Sequence, residues 1–252
     1  MLGDWTAAIP ILTYHSIDSS KSVISTDVQQ FSRQMEYLAE TKTRVLSLIE
    51  AVSLLKQRSS IPSNAAVLTF DDGFRNFYTC AFPILRKLQF PATVFLVTGY
   101  AGKDNHWPGQ SPGIPRLELL DWQEAREASL AGIDFGAHSV THPNFAHLSH
   151  EDLTREIVDP QQIICGRIGV TPKIFAYPYG MYTPVAEEIV GRTYEAACTV
   201  EMGFAVPDSH PHRLPRIDMY YFSQNNLFQW FGRSAFRRYV GMRGLLRKLR
   251  DQ

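Results

Sequence analysis

The sequence predicts a single α/β domain, a barrel of parallel strands with helices between them. Short apolar runs of strand length alternate with amphipathic stretches, and this alternation is typical of βα units. Six or seven such units in roughly 230 residues suit a (β/α) barrel. No glycine-rich dinucleotide turn follows the first strand, which argues against an open, doubly wound sheet.

The predicted strands are short runs rich in aliphatic and aromatic residues, several of them followed by a polar cluster. In chain order they are residues 9–14, 65–70, 92–97, 133–137, 173–177 and 196–200.

Amphipathic segments between these strands predict the helices. Asp27 and Asp121 are N-cap candidates, and Phe31, Met35 and Leu38 share one face of the first helix. In chain order the predicted helices are residues 27–40, 49–56, 78–88, 121–131, 151–168 and 184–193. The segment 99–115, rich in glycine and proline, predicts a long functional loop.

The composition is that of an ordinary globular domain. Of the 252 residues, 44% are hydrophobic and 20% are charged, which excludes disorder and allows a core that needs no disulfides. The three cysteines, Cys80, Cys165 and Cys198, are odd in number and widely spaced, so they form neither a disulfide framework nor a cysteine-rich metal site. We expect them to be buried structural thiols.

Charge is unevenly placed along a chain that holds 25 basic and 25 acidic residues. Residues 219–252 contain seven arginines and lysines against one acid, so the preceding residues carry a net negative charge. That balance argues against nucleic acid as the partner. We divide the chain into a barrel domain, residues 1–232, and a basic amphipathic tail, residues 233–252. The tail is either a helix packed on the barrel or a helix lying on an anionic membrane surface.

The N-terminal segment lacks the basic and apolar regions of a signal peptide, and no run approaches the ~18 apolar residues of a membrane span. With Met1 as the native start we expect a cytoplasmic protein, peripheral to the inner face of the membrane if the tail binds lipid.

Polar clusters follow four of the predicted strands. They are residues 14–16 (YHS), 71–73 (DDG), 138–143 (HSVTHP) and 178–180 (PYG). The carboxyl ends of parallel barrel strands meet on one face, where active sites form. One carboxylate with two imidazoles makes an open three-ligand site that suits Zn²⁺ or a similar divalent ion. A second, adjacent carboxylate would be free to take a proton from metal-bound water.

Three of these clusters resemble the first three motifs of the polysaccharide deacetylase family, also called the NodB homology or carbohydrate esterase 4 family. The matching segments are residues 69–73 (TFDDG), 138–143 (HSVTHP) and 177–180 (YPYG), and the likeness spans about residues 9–217. The resemblance implies a distorted (β/α)7 barrel. It also implies hydrolysis of N-acetyl, sometimes O-acetyl, groups from glycans with one bound divalent ion, zinc foremost and cobalt or nickel as alternatives.

The resemblance also implies roles for individual residues. Asp71 would be the general base, and Asp72, His138 and His142 would ligate the metal. The backbone N–H of Tyr179 would help to stabilise the tetrahedral oxyanion.

The sequence departs from the common family pattern at two places. The arginine that orients the base in many members is replaced by Ala176, and the late Leu-x-His motif is replaced by residues 214–217 (LPRI). Both features resemble the circularly permuted branch that deacetylates poly-N-acetylglucosamine, in which an early histidine is the general acid. That histidine would be His15, with His210 and His212 as alternatives. Arg216 would either take the place of the missing arginine near Asp71 or form a surface ion pair.

The remaining candidates are substrate-binding residues. Trp107 and Phe145 would form an aromatic platform for a sugar or, equally, belong to the core. Pro178, Leu214 and Arg216 are further candidates from the motif segments.

We therefore expect a metal-dependent hydrolase that removes N-acetyl groups from an N-acetylated sugar or polysaccharide. The alternatives are a deacylase of a lipid-linked or small acyl-sugar, and a glycan-binding domain without turnover.

Overall fold

A computed structural model describes residues 8–58, 61–223 and 227–250 of the chain. The strands in these ranges are β1 (Ile11–Tyr14), β2 (Ser16–Ile17), β3 (Ser25–Thr26), β4 (Arg44–Leu46), β5 (Ala65–Phe70), β6 (Thr93–Leu96), β7 (Asp134–Ala137), β8 (Ile174–Ala176), β9 (Ala196–Met202) and β10 (Leu214–Asp218). The α-helices are α1 (Val28–Glu40), α2 (Leu48–Lys56), α3 (Phe82–Leu88), α4 (Trp122–Leu130), α5 (His150–Ile168), α6 (Pro184–Thr193) and α7 (Ser234–Arg250).

Seven parallel strands close into a barrel in the order β1, β10, β9, β8, β7, β6, β5. The ring closes because β5 pairs with β1, in a register that runs from Ile11 opposite Val67 to Tyr14 opposite Phe70. β4 pairs with the first half of β5 outside this ring, and β2 and β3 form a separate parallel pair. The predicted single-domain (β/α)7 barrel is confirmed.

The alternation of side chains along each strand separates two parts of the core. Leu68 and Phe70 of β5 face outward and pack with the helices, whereas Val67 faces the barrel interior. In the same way, Leu214 of β10 lies in the interior cluster and Ile217 in the outer one. Asp71 lies four positions beyond Val67 and Arg216 two positions beyond Leu214, so this alternation directs both side chains to the inside of the carboxyl rim.

All six predicted strands and all six predicted helices occur, with small shifts at their ends. The segment predicted as one helix, residues 78–88, differs in its first half. That half is a π-helical turn, Phe77–Ala81, and α3 follows it. α4 begins with the capping box of Asp121 and Glu124. The prediction of buried cysteines is right for Cys198 and wrong for Cys165, which is exposed on α5; Cys80 is half-buried.

The C-terminal segment forms α7, which packs on the barrel through Phe236 and Val240. The Phe236 ring contacts the rings of Phe222 and Phe231. The domain boundary at residue 232 stays a prediction. Within the described ranges, no helix combines the length and apolar character that a membrane crossing requires.

Candidate active site

The carboxyl rim of the barrel holds a cavity of about 250 Å³. Asp71 and Asp72 follow β5, His138 follows β7, and Tyr179 lies in a short 3₁₀ turn after β8. The predicted site residues that line the cavity are His15, Asp71, Asp72, Trp107, His138, His142 and Tyr179. The barrel therefore brings together side chains that are far apart in sequence.

Asp72, His138 and His142 form the triad expected of a metal site. One potential ligand atom from each side chain lies within 4.8 Å of the other two, and all three side chains are buried. The Nε2 atoms of His138 and His142 are 3.3 Å and 3.4 Å from the same Asp72 oxygen, Oδ1. His138 Nδ1 lies 2.7 Å from the backbone oxygen of Ala176 and donates to it, which leaves Nε2 facing the carboxylate.

The electrostatics of the triad favour a positive charge between these atoms. Burial alone would lower the pKa of His138, but the hydrogen bond to Asp72 and the charge of Asp71 raise it. Burial lowers the pKa of His142 to about 3, so its imidazole is neutral and can ligate. A divalent cation would supply positive charge at this position, and one carboxylate with two imidazoles is a donor set for zinc. The residues present fit such an ion.

Backbone strain is concentrated at this site. Of the eight non-glycine residues with positive φ in the described ranges, four belong to the motifs: Asp72 (68°), Ser139 (67°), His142 (58°) and Tyr179 (57°). Such conformations cost roughly 1 to 3 kcal/mol each and gather at functional sites. Gly180, at φ 68°, follows Tyr179, and a Cβ there would lie only 2.3 Å from Val200 Cγ2.

Glu156 on α5 holds the loop that carries both histidines. Its Oε2 accepts hydrogen bonds from the backbone N–H groups of Val140 and Thr141, each at 2.8 Å, and its Oε1 accepts one from the Thr141 hydroxyl. The Ser139 hydroxyl accepts a further bond from His142 N–H. Sequence reasoning missed Glu156, because a lone glutamate on an amphipathic helix gives no signal that it reaches a distant loop.

Arg216 forms an ion pair with Asp71 inside the barrel. Its two terminal nitrogens donate to the two carboxylate oxygens at 2.7 Å and 2.6 Å, and its Nε donates to the backbone oxygen of Thr199. The guanidinium is 2% exposed, so the alternative of a surface ion pair is wrong. Burial alone would raise the pKa of Asp71, but the charge and hydrogen bonds of Arg216 outweigh it and hold that pKa well below its usual range. Asp71 is therefore an ionised carboxylate in a fixed orientation.

His15 also lies beside Asp71, directly after β1. Its Nε2 is 3.9 Å from Asp71 Oδ2, and its side chain is 23% exposed, open to the cavity. His210 and His212 do not line this cavity: His210 lies 3.2 Å from Glu187, and His212 contacts the backbone oxygen of Tyr194. The geometry favours His15 among the candidate acids.

The long loop after β6 forms one wall of the cavity. Trp107 is 2% exposed, and its ring centroid lies 4.4 Å from that of His142. Gln110 and Ile114 line the cavity farther along this loop, and the centroid of the Tyr179 ring lies 4.5 Å from that of His142. Trp107 thus packs against His142, one of the three expected metal ligands, and also lines the space that a substrate would enter.

Four other predicted substrate contacts lie outside the cavity lining. Phe145 is fully buried between Phe175 and Tyr177, so its ring has no free face for a sugar, and the core alternative is the correct one. Leu214 is buried in the barrel interior, and Pro178 is the buried first residue of the turn that presents Tyr179. Arg216 lies behind Asp71, where it contacts the base instead of a ligand.

Comparison with known proteins identifies the family of this chain. The family model described as polysaccharide deacetylase matches residues 59–193, more than half of the chain. The chain belongs to the polysaccharide deacetylase family. It is thus a hydrolase of the deacetylase class with the NodB-type barrel.

Relatives share both the fold and much of the chain length. The poly-β-1,6-N-acetyl-D-glucosamine N-deacetylase of Staphylococcus aureus (strain MRSA252) is 24% identical over 211 residues, which cover 79% of this chain and 70% of that protein. The Streptococcus pyogenes deacetylase PplD, solved in complex with acetate, is 26% identical with a TM-score of 0.74, covering 84% of this chain and 92% of that one. IcaB from Ammonifex degensii has the same fold, with 22% identity, a TM-score of 0.75, and coverage of 88% and 97%.

Proposed function

We propose that this chain is a metal-dependent hydrolase that removes acetyl groups from N-acetylglucosamine units of a glycan. The observation that carries the proposal is the triad of Asp72, His138 and His142 with the ionised Asp71 beside it in one cavity. The Staphylococcus aureus relative, named for its action on poly-β-1,6-N-acetyl-D-glucosamine, supports the substrate class.

Asp72, His138 and His142 would hold the divalent ion, which we propose is zinc, with cobalt or nickel as alternatives. When bound, such an ion polarises a carbonyl oxygen and lowers the pKa of water. The hydrogen bond from His138 to Ala176 and the Glu156 contacts fix the two imidazoles before any ion arrives.

The other residues move protons and orient the substrate. Asp71, kept ionised by Arg216, would accept a proton from the attacking water. His15 would donate a proton to the nitrogen of the departing amine sugar. The backbone N–H of Tyr179 would donate to the oxygen of the acetyl group as its charge develops. Trp107 and Tyr179 would bound the space around the acetyl group and the sugar.

The test is acetate release from N-acetylglucosamine oligomers by the wild type and by Asp71→Asn. We expect the substitution to lower turnover about 10²- to 10⁴-fold, because it removes the proton acceptor. Asp208→Asn is the matched control, since Asp208 is an exposed carboxylate that is paired with Arg58 and does not line the cavity, and it should act like the wild type.

The outcomes separate the alternatives. Equal release by wild type and Asp71→Asn would contradict the role of Asp71. Glycan affinity without acetate release, retained in Asp71→Asn, would indicate a binding domain. Stoichiometric metal binding without release from any oligomer would point to a lipid-linked or small acyl-sugar as the substrate.

A further inference from the structure

The outward face of α7 has no partner in the described part of the chain, although it is strongly apolar. Phe236 and Val240 face the barrel, and Gly244 follows them one turn later, where a Cβ would come within 2.7 Å of the Met202 backbone oxygen. The opposite side of the helix carries apolar side chains at the spacing i, i+3, i+4, i+7, which forms one stripe. They are Met242, Leu245, Leu246 and Leu249, each between 52% and 61% exposed.

Cations surround this stripe. Arg233, Arg237 and Arg238 are exposed on the first two turns of the helix and just before it. No acidic residue occurs in the sequence between Asp218 and Asp251. An exposed apolar stripe beside arginines is typical of a helix that lies in a membrane interface.

A small cavity beside the stripe adds two more guanidinium groups. It has a volume of about 200 Å³ and is lined by Met202, Tyr221, Arg243, Leu246 and Arg247. The Arg243 guanidinium lies 4.0 Å above the Tyr221 ring, and its buried Nε has no hydrogen-bond partner among the described residues. Asp218 is one acid that interacts electrostatically with Arg247. The cavity is suited to an anionic group such as the phosphate of a lipid headgroup.

We propose that α7 docks the protein on an anionic lipid bilayer. The stripe of Met242, Leu245, Leu246 and Leu249 would enter the boundary between headgroups and acyl chains, with the arginines against the phosphates. A second copy of this chain fits the face poorly, because dimerisation through it would place arginines against arginines. The proposal concerns binding alone and does not depend on the catalytic assignment.

Helix α7 packs against the strand that also contributes to the active-site cavity. α7 packs near Met202 at the end of β9, and Val200 of the same strand lines the active-site cavity. The helix that carries the docking face thus packs at the rim end of the barrel. Where the proposed function holds, the bilayer would lie near the cavity that receives the glycan.

The experiment is co-sedimentation of the full chain with vesicles of equal parts phosphatidylglycerol and phosphatidylcholine, compared with pure phosphatidylcholine. We expect binding to the anionic vesicles, release as salt is raised, and little binding to the neutral vesicles. Leu245→Glu with Leu246→Glu should weaken binding ~10-fold or more, because it places charges in the apolar stripe. Leu130→Glu is the matched control, since Leu130 is an 83% exposed leucine on α4, and it should bind like the wild type.

Circular dichroism would show whether the leucine variant unfolds. In that case a second pair of variants, which changes the arginines instead of the leucines, tests the proposal. Arg237→Glu with Arg238→Glu should weaken binding to anionic vesicles, whereas Arg126→Glu, an exposed cation on α4, should not. Absent sedimentation, or equal binding to both vesicle types that none of these substitutions changes, would overturn the proposal. So would a wild-type dimer in solution that Leu245→Glu with Leu246→Glu separates into monomers, because a second copy would then cover the face.

Discussion

The contact between Arg216 and Asp71 is a buried, two-point ion pair, and the properties of the candidate base depend on it. Burial of a lone carboxylate raises its pKa, whereas an arginine within hydrogen-bond distance lowers it. The pKa of Asp71 lies well below its usual range because the arginine outweighs the burial. The pair therefore stabilises the fold above the usual carboxyl pKa, and this stability is lost as the pH falls through the folded-state pKa.

Arg216→Met should move the acidic limb of the pH profile of kcat/KM to higher pH. Without the guanidinium, burial raises the pKa of Asp71, and the base must still be ionised to accept a proton. The unpaired carboxylate should also lower the free energy of unfolding by about 3 to 5 kcal/mol. Arg58→Met, at an exposed ion pair, is the control. An acidic limb that does not move would refute this role of Arg216.

His15→Ala should lose most of its turnover and keep its metal. A positioned general acid contributes about 10²- to 10⁴-fold, and His15 is outside the triad that would bind the ion. Turnover and bound metal would be measured on the same samples, with His147→Ala as a control away from the cavity lining. Unchanged turnover in His15→Ala would exclude it as the acid.

At the scale of elements, helix α5 supports the metal site through Glu156. Glu156→Ala removes the acceptor for three hydrogen bonds from residues 140 and 141, so the loop between His138 and His142 loses its fixed shape. We expect metal affinity to fall about 10- to 100-fold, as is usual when the residues that orient metal ligands are removed. Competition with a chelator and the absorption spectrum of bound Co²⁺ would measure this change.

The control for Glu156→Ala lies on the same helix. Glu151 is exposed in the first turn of α5, and Glu151→Ala should leave the affinity and the Co²⁺ spectrum unchanged. Partial recovery of affinity in Glu156→Gln, which keeps an acceptor oxygen, would separate loop positioning from general destabilisation. Wild-type affinity in Glu156→Ala would show that the loop holds its shape without this contact.

Some elements could be predicted from local pattern and others could not. β5 has six consecutive buried residues, and its run of apolar side chains was enough to predict its bounds. β10 was missed because Pro215, Arg216 and Asp218 give its sequence the pattern of a loop. A charged residue is stable inside that strand only because Asp71 lies opposite, and that contact joins residues far apart in sequence.

At the scale of the whole molecule, closure of the barrel converts separate motifs into one site. The rule that parallel strands present their carboxyl ends on one face was sufficient to predict that the motifs after β5, β7 and β8 meet. It was not sufficient to distinguish Trp107 from Phe145. Phe145 follows the motif at 138–143 but packs beneath the rim, whereas Trp107, which adjoins no motif, is carried to the cavity by the long loop.

The most direct test of the central claim is acetate release as a function of added zinc. The protein would be stripped of metal with a chelator, mixed with N-acetylglucosamine oligomers, and titrated with Zn²⁺. We predict no release from the stripped protein, and a rise that saturates at one zinc ion per chain. Full acetate release from the stripped protein, or activity that zinc does not change, would contradict a metal-dependent deacetylase built on Asp72, His138 and His142.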